Sequence, residues 1–140
     1  MGPTGTNTTA TSSFAYASGS ALSASAAGTP VPLPSGQILP SGITVNGANN
    51  TFTVATPGRY RIAYAVNTTV ALLLSTRLMI NGAASVASTV APLLSLSNYS
   101  NEIITDLTAG STVQLQAVGA SISLTLTTGA GATLMITRLS

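Results

Sequence analysis

Apolar side chains recur at every second position along most of this chain. Tyr60, Ile62, Tyr64 and Val66 alternate with Arg59, Arg61, Ala63 and Ala65. The same period runs through Phe52 and Val54, then Leu72, Leu74, Thr76, Leu78 and Ile80, then Val113, Leu115 and Ala117. It returns in Ile122, Leu124 and Leu126, and in Leu134 and Ile136. Successive side chains of a strand point to opposite faces, so this period gathers the apolar set on one face of a sheet. Val, Ile, Thr and Tyr are abundant in these stretches and suit a pleated, half-buried surface. No window carries the i, i+3, i+4, i+7 stripe of an amphipathic helix, so the spacing predicts strands alone.

Turn residues fall between the strands. Asn46-Gly47 and Asn81-Gly82 predict two-residue hairpins of type I′, in which both central residues need positive φ. Thr56-Pro57-Gly58 and Thr108-Ala109-Gly110-Ser111 read as further turns, and Gly119-Ala120-Ser121 and Gly129-Ala130-Gly131 as the ends of two more hairpins. The segment Thr29–Pro34 has a proline at every second position, which confines it to a sheet edge or extended coil because proline has no N–H to donate. Short strands with turns every eight to twelve residues or so describe a sandwich or barrel.

Residues 1–13 differ from the rest. They are Gly, Pro, Thr, Ser, Asn and Ala after the initial Met, with almost nothing to bury, and read as an extended or flexible lead-in to a globular unit over 14–140. Gly2-Pro3-Thr4-Gly5-Thr6-Asn7 is two Gly-X-Y triplets, and Thr8 ends the period. Taken alone, this is either the end of a collagen-like stalk or a chance run of glycine and proline, since two triplets cannot sustain a triple helix.

Composition narrows the chemistry. The 140 residues include four arginines and two acids, with no Lys, His, Cys or Trp. Only 4% of the chain is charged, against about 25% in an ordinary domain. Most general-base and covalent-nucleophile chemistry lacks its agents. The zinc, copper and haem ligand sets lack theirs, and no disulfide is possible. We therefore expect no enzyme, no cofactor and no metal centre. A net charge of +2 is no nucleic-acid footprint. No apolar run approaches the roughly 18 residues of a membrane-spanning helix, and the start of the chain has neither the basic nor the apolar region of a signal peptide. A surface of hydroxyls and amides repels itself weakly, which favours hiding apolar area in a tight oligomer.

The order of landmarks is familiar. A short aromatic strand, Ser13-Phe14-Ala15-Tyr16-Ala17, precedes Ile43-Thr44-Val45-Asn46-Gly47. The run from Phe52 through Pro57-Gly58-Arg59-Tyr60 to Tyr64 follows, then Leu78-Met79-Ile80-Asn81-Gly82, then Leu107 to Leu115, and a final strand over Ala132–Leu139. This order resembles the trimeric jelly-roll heads of the tumour necrosis factor and complement superfamily. The Ala/Thr/Leu-rich, charge-poor version is most similar to the C-terminal domain of BclA-type collagen-like glycoproteins of the bacterial spore surface, the exosporium. The resemblance spans residues 13–140. It implies an all-β jelly-roll sandwich of about ten antiparallel strands, assembled as a homotrimer. It makes residues 2–7 the end of a Gly-X-Y stalk that the head would nucleate, with the head as the exposed tip. It also implies O-linked sugar at Thr4. Many relatives carry an Asp after the turn glycine, and some bind calcium; here Ser111 follows Gly110, and with only Glu102 and Asp106 as acids no calcium site is expected within a protomer.

The candidate side chains are few. Glu102 and Asp106 are four apart in an alternating stretch, which puts them on one face about 13 Å apart, too far for the paired carboxyls of a glycosidase. They are expected to pair with Arg59, Arg61 or Arg77, within or between subunits. Phe52, Tyr60, Ile62, Tyr64, Leu78, Ile80, Leu115, Leu124, Leu134 and Ile136 are expected in the core or along the trimer axis. Asn-x-Ser/Thr sequons at Asn7, Asn49, Asn67 and Asn98 arise easily in so Ser/Thr-rich a chain. The expected partners are further copies of the chain and an upstream stalk. The alternative is an adhesin head that binds a host receptor or glycan through loops at Val86–Leu93 or Ser97–Asn101.

Overall fold

The computed structural model describes residues 8–140. Gly2–Asn7, with Thr4 and the Asn7 sequon, lie outside the described residues. A 3-10 turn over Thr8–Ala10 leads into thirteen strands: β1 Ser12–Ala17, β2 Ala21–Ser23, β3 Thr29–Pro30, β4 Ser35–Ile38, β5 Ile43–Val45, β6 Phe52–Val54, β7 Gly58–Leu72, β8 Ser75–Ile80, β9 Ala83–Ala84, β10 Leu96–Leu107, β11 Thr112–Val118, β12 Ser123–Thr125 and β13 Ala132–Arg138. A second 3-10 turn covers Val86–Ser88. β1 begins at Ser12, so Ser12 and Ser13, which composition placed in the lead-in, are sheet residues facing Thr137 and Ile136.

Two sheets face each other. Sheet 1 runs β10-β7-β13-β1-β4 and sheet 2 runs β5-β6-β11-β8-β9, with β3 also on β11 and β2 paired to β12. Consecutive strands cross between the sheets from β4 to β5, β6 to β7, β7 to β8, β9 to β10 and β10 to β11. This double-sheet, all-antiparallel winding is a jelly roll.

The crossings correct several expected turns. Gly119-Ala120-Ser121 and Gly129-Ala130-Gly131 do not close hairpins: β11 lies in sheet 2, β12 pairs with β2, and β13 lies in sheet 1. The set from Leu72 to Ile80 is divided between β7 and β8, in different sheets, at the exposed Leu73. Asn81-Gly82 is a two-residue hairpin turn with φ of 54° and 78°, joining Ile80 to its partner Ala83. Asn46-Gly47 is not. There the Asn46 Oδ1 accepts the N–H groups of Asn50 and Thr51 at 3.0 and 3.1 Å, and Asn49 takes the positive φ of 59°. The side chain thus builds a longer loop in place of the tight turn. Ser97–Asn101 is not a loop either. Residues 98–101 pair with 67–64 of β7 as the start of β10.

The Pro-rich segment sits at an edge, as its chemistry requires. Thr29 and Pro30 face Ala117 and Gln116, and the N–H groups of Val31 and Leu33 donate to Leu115 and Asn49 carbonyls. The prolines fall between these donors, so the missing N–H groups leave no ladder bond unmade.

The core fills the space between the sheets. Tyr60, Ile62, Tyr64 and Val66 of β7 and Leu134 and Ile136 of β13 meet Phe52, Val54, Leu78, Val113 and Leu115 of sheet 2. Each buried phenol keeps a partner. Tyr60 donates to the Thr56 carbonyl at 2.6 Å and Tyr64 to the Ser88 carbonyl at 2.5 Å, and the Tyr64 hydroxyl also lies 3.0 Å from Thr76 Oγ1. Tyr99 donates to the Leu72 carbonyl at 2.5 Å. Ser88, fully buried, also takes the Leu78 N–H on its hydroxyl, which fastens the 86–88 turn to β8.

Two predictions follow from this core. Leu115→Ala should lower stability by about 2–5 kcal/mol, read from the denaturant midpoint; a change near zero would place Leu115 outside the core. Burial raises the Tyr60, Tyr64 and Tyr99 phenols above their ordinary value, partly offset by Arg138 at Tyr60 and Thr76 at Tyr64. The unfolded chain then loses its phenolic protons first, so stability should fall as pH climbs above about 10. With no histidine to titrate, the thermal midpoint should be flat between about pH 6 and 9; a step inside that window would contradict this account.

Candidate self-association face

The two outer faces of the sandwich differ in kind. On sheet 2, Gln116 Nε2 donates to Gln114 Oε1 at 2.8 Å and Gln114 Nε2 to Thr51 Oγ1 at 2.9 Å. Arg77 caps this ladder with Nε and Nη2 on Gln116 Oε1, at 3.2 and 3.1 Å, and reaches the Ala27 carbonyl at 3.2 Å. The polar groups of this ladder satisfy one another.

The outer face of sheet 1 exposes large apolar side chains among small polar ones. Strand register sets Ile38, Phe14, Met135, Ala63 and Glu102 side by side in one row. The row above holds Ser35, Tyr16, Thr133, Ala65 and Ser100, and the row below Ser12, Thr137, Arg61 and Ile104. Ile38 is 64% exposed, Ile104 61% and Met135 39%. The Phe14 and Tyr16 rings are half-buried, with centroids 6.0 Å apart. Their strand is apolar in both phases: Ser13, Ala15 and Ala17 point inward, leaving the two large rings outside. Gly36 lets β4 cross the Tyr16 ring. Its φ is +53°, and a Cβ there would lie 2.3 Å from the ring.

The charges gather at one side of this face. Arg59 Nε meets Asp106 Oδ1 at 3.1 Å and Arg61 Nη2 meets Glu102 Oε2 at 2.6 Å, both across β7 and β10 of one chain. The Arg61 bond holds the Glu102 carboxyl below its ordinary range and raises the Arg61 guanidinium. All four side chains are about half exposed or more, so screening leaves each pair worth little to stability. Arg77 meets no acid. Glu102 and Asp106 both point outward from β10, flanked by arginines rather than by any cleft.

The ten residues expected in the core or on an axis face inward. Nine are buried, and Ile80 is partly buried against the same core. The outer set of Phe14, Tyr16, Ile38, Ile104 and Met135 was not singled out from the sequence. The signal that marks it is apolar residues in both phases of one strand, as in Phe14-Ala15-Tyr16, Ile103-Ile104 and Leu134-Met135-Ile136, the pattern of strands covered on both faces.

The turn at Ser111 does not fit calcium. Ser111 is buried, and its hydroxyl takes the Thr108 N–H at 3.1 Å and the Asn81 amide at 3.3 Å. The oxygen is spent on closing the turn.

A family model for the BclA C-terminal domain matches residues 12–140. The chain belongs to the BclA C-terminal domain family. Domains of this family are structural modules without catalytic activity. A search of curated proteins finds no match. Among solved structures, murine APRIL is similar with a TM-score of 0.67 and 13% identity, covering 91% of this chain and 99% of that one. Rabbit GITRL is similar with a TM-score of 0.60 and 15% identity, covering 92% and 93%. Pika GITRL gives a TM-score of 0.51 and 16% identity, covering 76% and 90%. At such identities the likeness carries the fold, a tumour necrosis factor-like jelly roll.

Two substitutions test this local reading. Arg61→Gln should leave the thermal midpoint nearly unchanged, since it removes one exposed pair. Gly36→Ala should destabilise measurably, because its Cβ meets the Tyr16 ring at a left-handed position. The reverse order of effects would show that the ion pair, not the β4 crossing, holds this edge.

Proposed function

We propose that this domain is the trimerising head of a collagen-like filament protein on the bacterial spore surface, the exosporium. It brings three stalk chains together and forms the exposed tip. The observation that carries the reading is the contrast between the two outer faces: sheet 2 is closed by a polar ladder, and sheet 1 leaves Ile38, Ile104 and Met135 exposed beside the half-buried Phe14. Membership of the BclA C-terminal family supports it, as do the two Gly-X-Y triplets just before the head.

The topology suits a stalk. Ser12 lies beside Thr137, and Thr137 beside Arg61, so the chain enters the sandwich where β7 begins. β7 then runs eleven residues further to Leu72, which puts the far loops about 35 Å away by strand rise. Three heads associated through sheet 1 would hold three stalk ends together at one end and present loops at the other. Held at high effective concentration, the stalk chains would zip from there. The same reading places O-linked sugar at Thr4 and gives the head no catalytic role.

Charge insertion tests the face. Met135→Asp and Ile38→Asp should each yield a folded monomer on size-exclusion chromatography, whereas Thr53→Asp on sheet 2 should elute with the unmodified trimer. Unmodified chain eluting as monomer, or Thr53→Asp alone dissociating it, would overturn the proposal.

A second reading is an adhesin head that contacts a receptor or glycan. The loop carrying Val86, Leu93 and Leu94, exposed by 88%, 95% and 77%, favours it. A glycan and host-receptor array probed with the intact trimer and with Leu93→Ser/Leu94→Ser distinguishes the two. Binding lost in that variant with the trimer retained would support the adhesin.

A further inference from the structure

With no cysteine, the sulfur chemistry of the described chain rests on two methionines, Met79 and Met135. Met135 occupies the middle of the apolar row on sheet 1, between its cross-strand partners Phe14 and Ala63. Its side chain points away from the core, and it is 39% exposed in the single chain. Met79 lies on the other outer face, on β8, opposite Gln114 and Ala84. The two sulfurs therefore sample the two faces separately.

We propose that Met135 is an oxidation-sensitive control point of assembly, the reagent being a hydroperoxide. This rests on the reading of sheet 1 as the self-association face. The thioether sulfur attacks the peroxide, the O–O bond breaks, sulfur gains one oxygen and loses two electrons, and the hydroperoxide leaves as water or alcohol. The product is a sulfoxide, a strong dipole on a side chain that was apolar and adaptable. In the single chain it faces water and costs nothing. Buried against a second copy it replaces an apolar contact: its row neighbours Phe14, Ile38 and Ala63 offer no side-chain donor, and the hydroxyls of Thr133 and Thr137 and the Arg61 guanidinium, already on Glu102, lie in the rows to either side. An unsatisfied polar group of this kind weakens association on the order of 10- to 100-fold for each copy buried.

Assembly also protects the site, because a covered thioether is not reached by peroxide. The control point thus acts on chains before they assemble and spares those already assembled. No disulfide or thiol offers a competing redox response in this chain.

The test uses the full chain with hydrogen peroxide. Treated while assembled, it should gain oxygen at Met79 well before Met135, as read by peptide mass. Treated while unfolded and then refolded by dilution, it should regain its far-ultraviolet circular dichroism but require on the order of 10- to 100-fold more protein to assemble, as read by light scattering. Met135→Leu treated in the same way should assemble like untreated chain, and Met79→Leu should still lose assembly. Met135→Gln, a polar mimic of similar length, should fold and remain monomeric without any oxidant, which keeps the test decisive if the oxidised chain refolds poorly.

Wild-type chain oxidised at both Met79 and Met135 and assembling normally would overturn the inference while leaving the self-association face intact. So would Met135 oxidising as fast as Met79 in the trimer. Untreated chain that never assembles would instead defeat the reading of the face itself.

Discussion

Strands β1 and β13 carry apolar side chains on both faces, and the chain itself covers only one of them. Everything else in the structure is arranged around that imbalance. The inner face meets sheet 2 and forms a closed core with its phenols satisfied. The outer face of sheet 2 is closed by the amide ladder of Gln116 and Gln114 with Arg77. The outer face of sheet 1 remains open, with Phe14, Ile38, Ile104 and Met135 beside two ion pairs at one flank. Apolar surface of this kind gives roughly 25 cal/mol per Å² when removed from water, before the costs of association. Under the proposed function, a second copy of the same chain would supply the missing cover at no change in sequence.

The scarcity of charge takes its meaning from this. Four of the six charged residues pair within the chain between β7 and β10. Arg77 is satisfied by neutral acceptors and braces the segment near Gly28, whose Cβ would collide with Gln116 Oε1. Arg138 lies near the Pro57 carbonyl at the end where the chain enters. On sheet 1 the charges stay on β7 and β10, apart from Arg138 at the end of β13, so β1 and β4 carry none.

The strands were legible from the sequence because their period is short and local. Tyr60 to Val66 and Leu134 with Ile136 lie on the inner face that alternation assigns them. The pairing was less legible. Gly119 and Gly129 look like hairpin turns, but a jelly roll sends neighbouring strands to opposite sheets, and no local pattern carries that. Asn46-Gly47 misleads for a different reason: the asparagine side chain captures two backbone donors and lengthens the loop. The candidate face was hidden by its own logic. In Ser13-Phe14-Ala15-Tyr16-Ala17 the small residues go inside and the rings outside, which inverts the usual expectation that aromatic residues mark the core.

Sedimentation equilibrium of the unmodified full chain at micromolar concentration tests the central claim most directly. A single species at three times the 13.8 kDa chain mass is the expected result. A single species at the mass of one chain would show that the apolar face of sheet 1 is stable in water and would contradict the account.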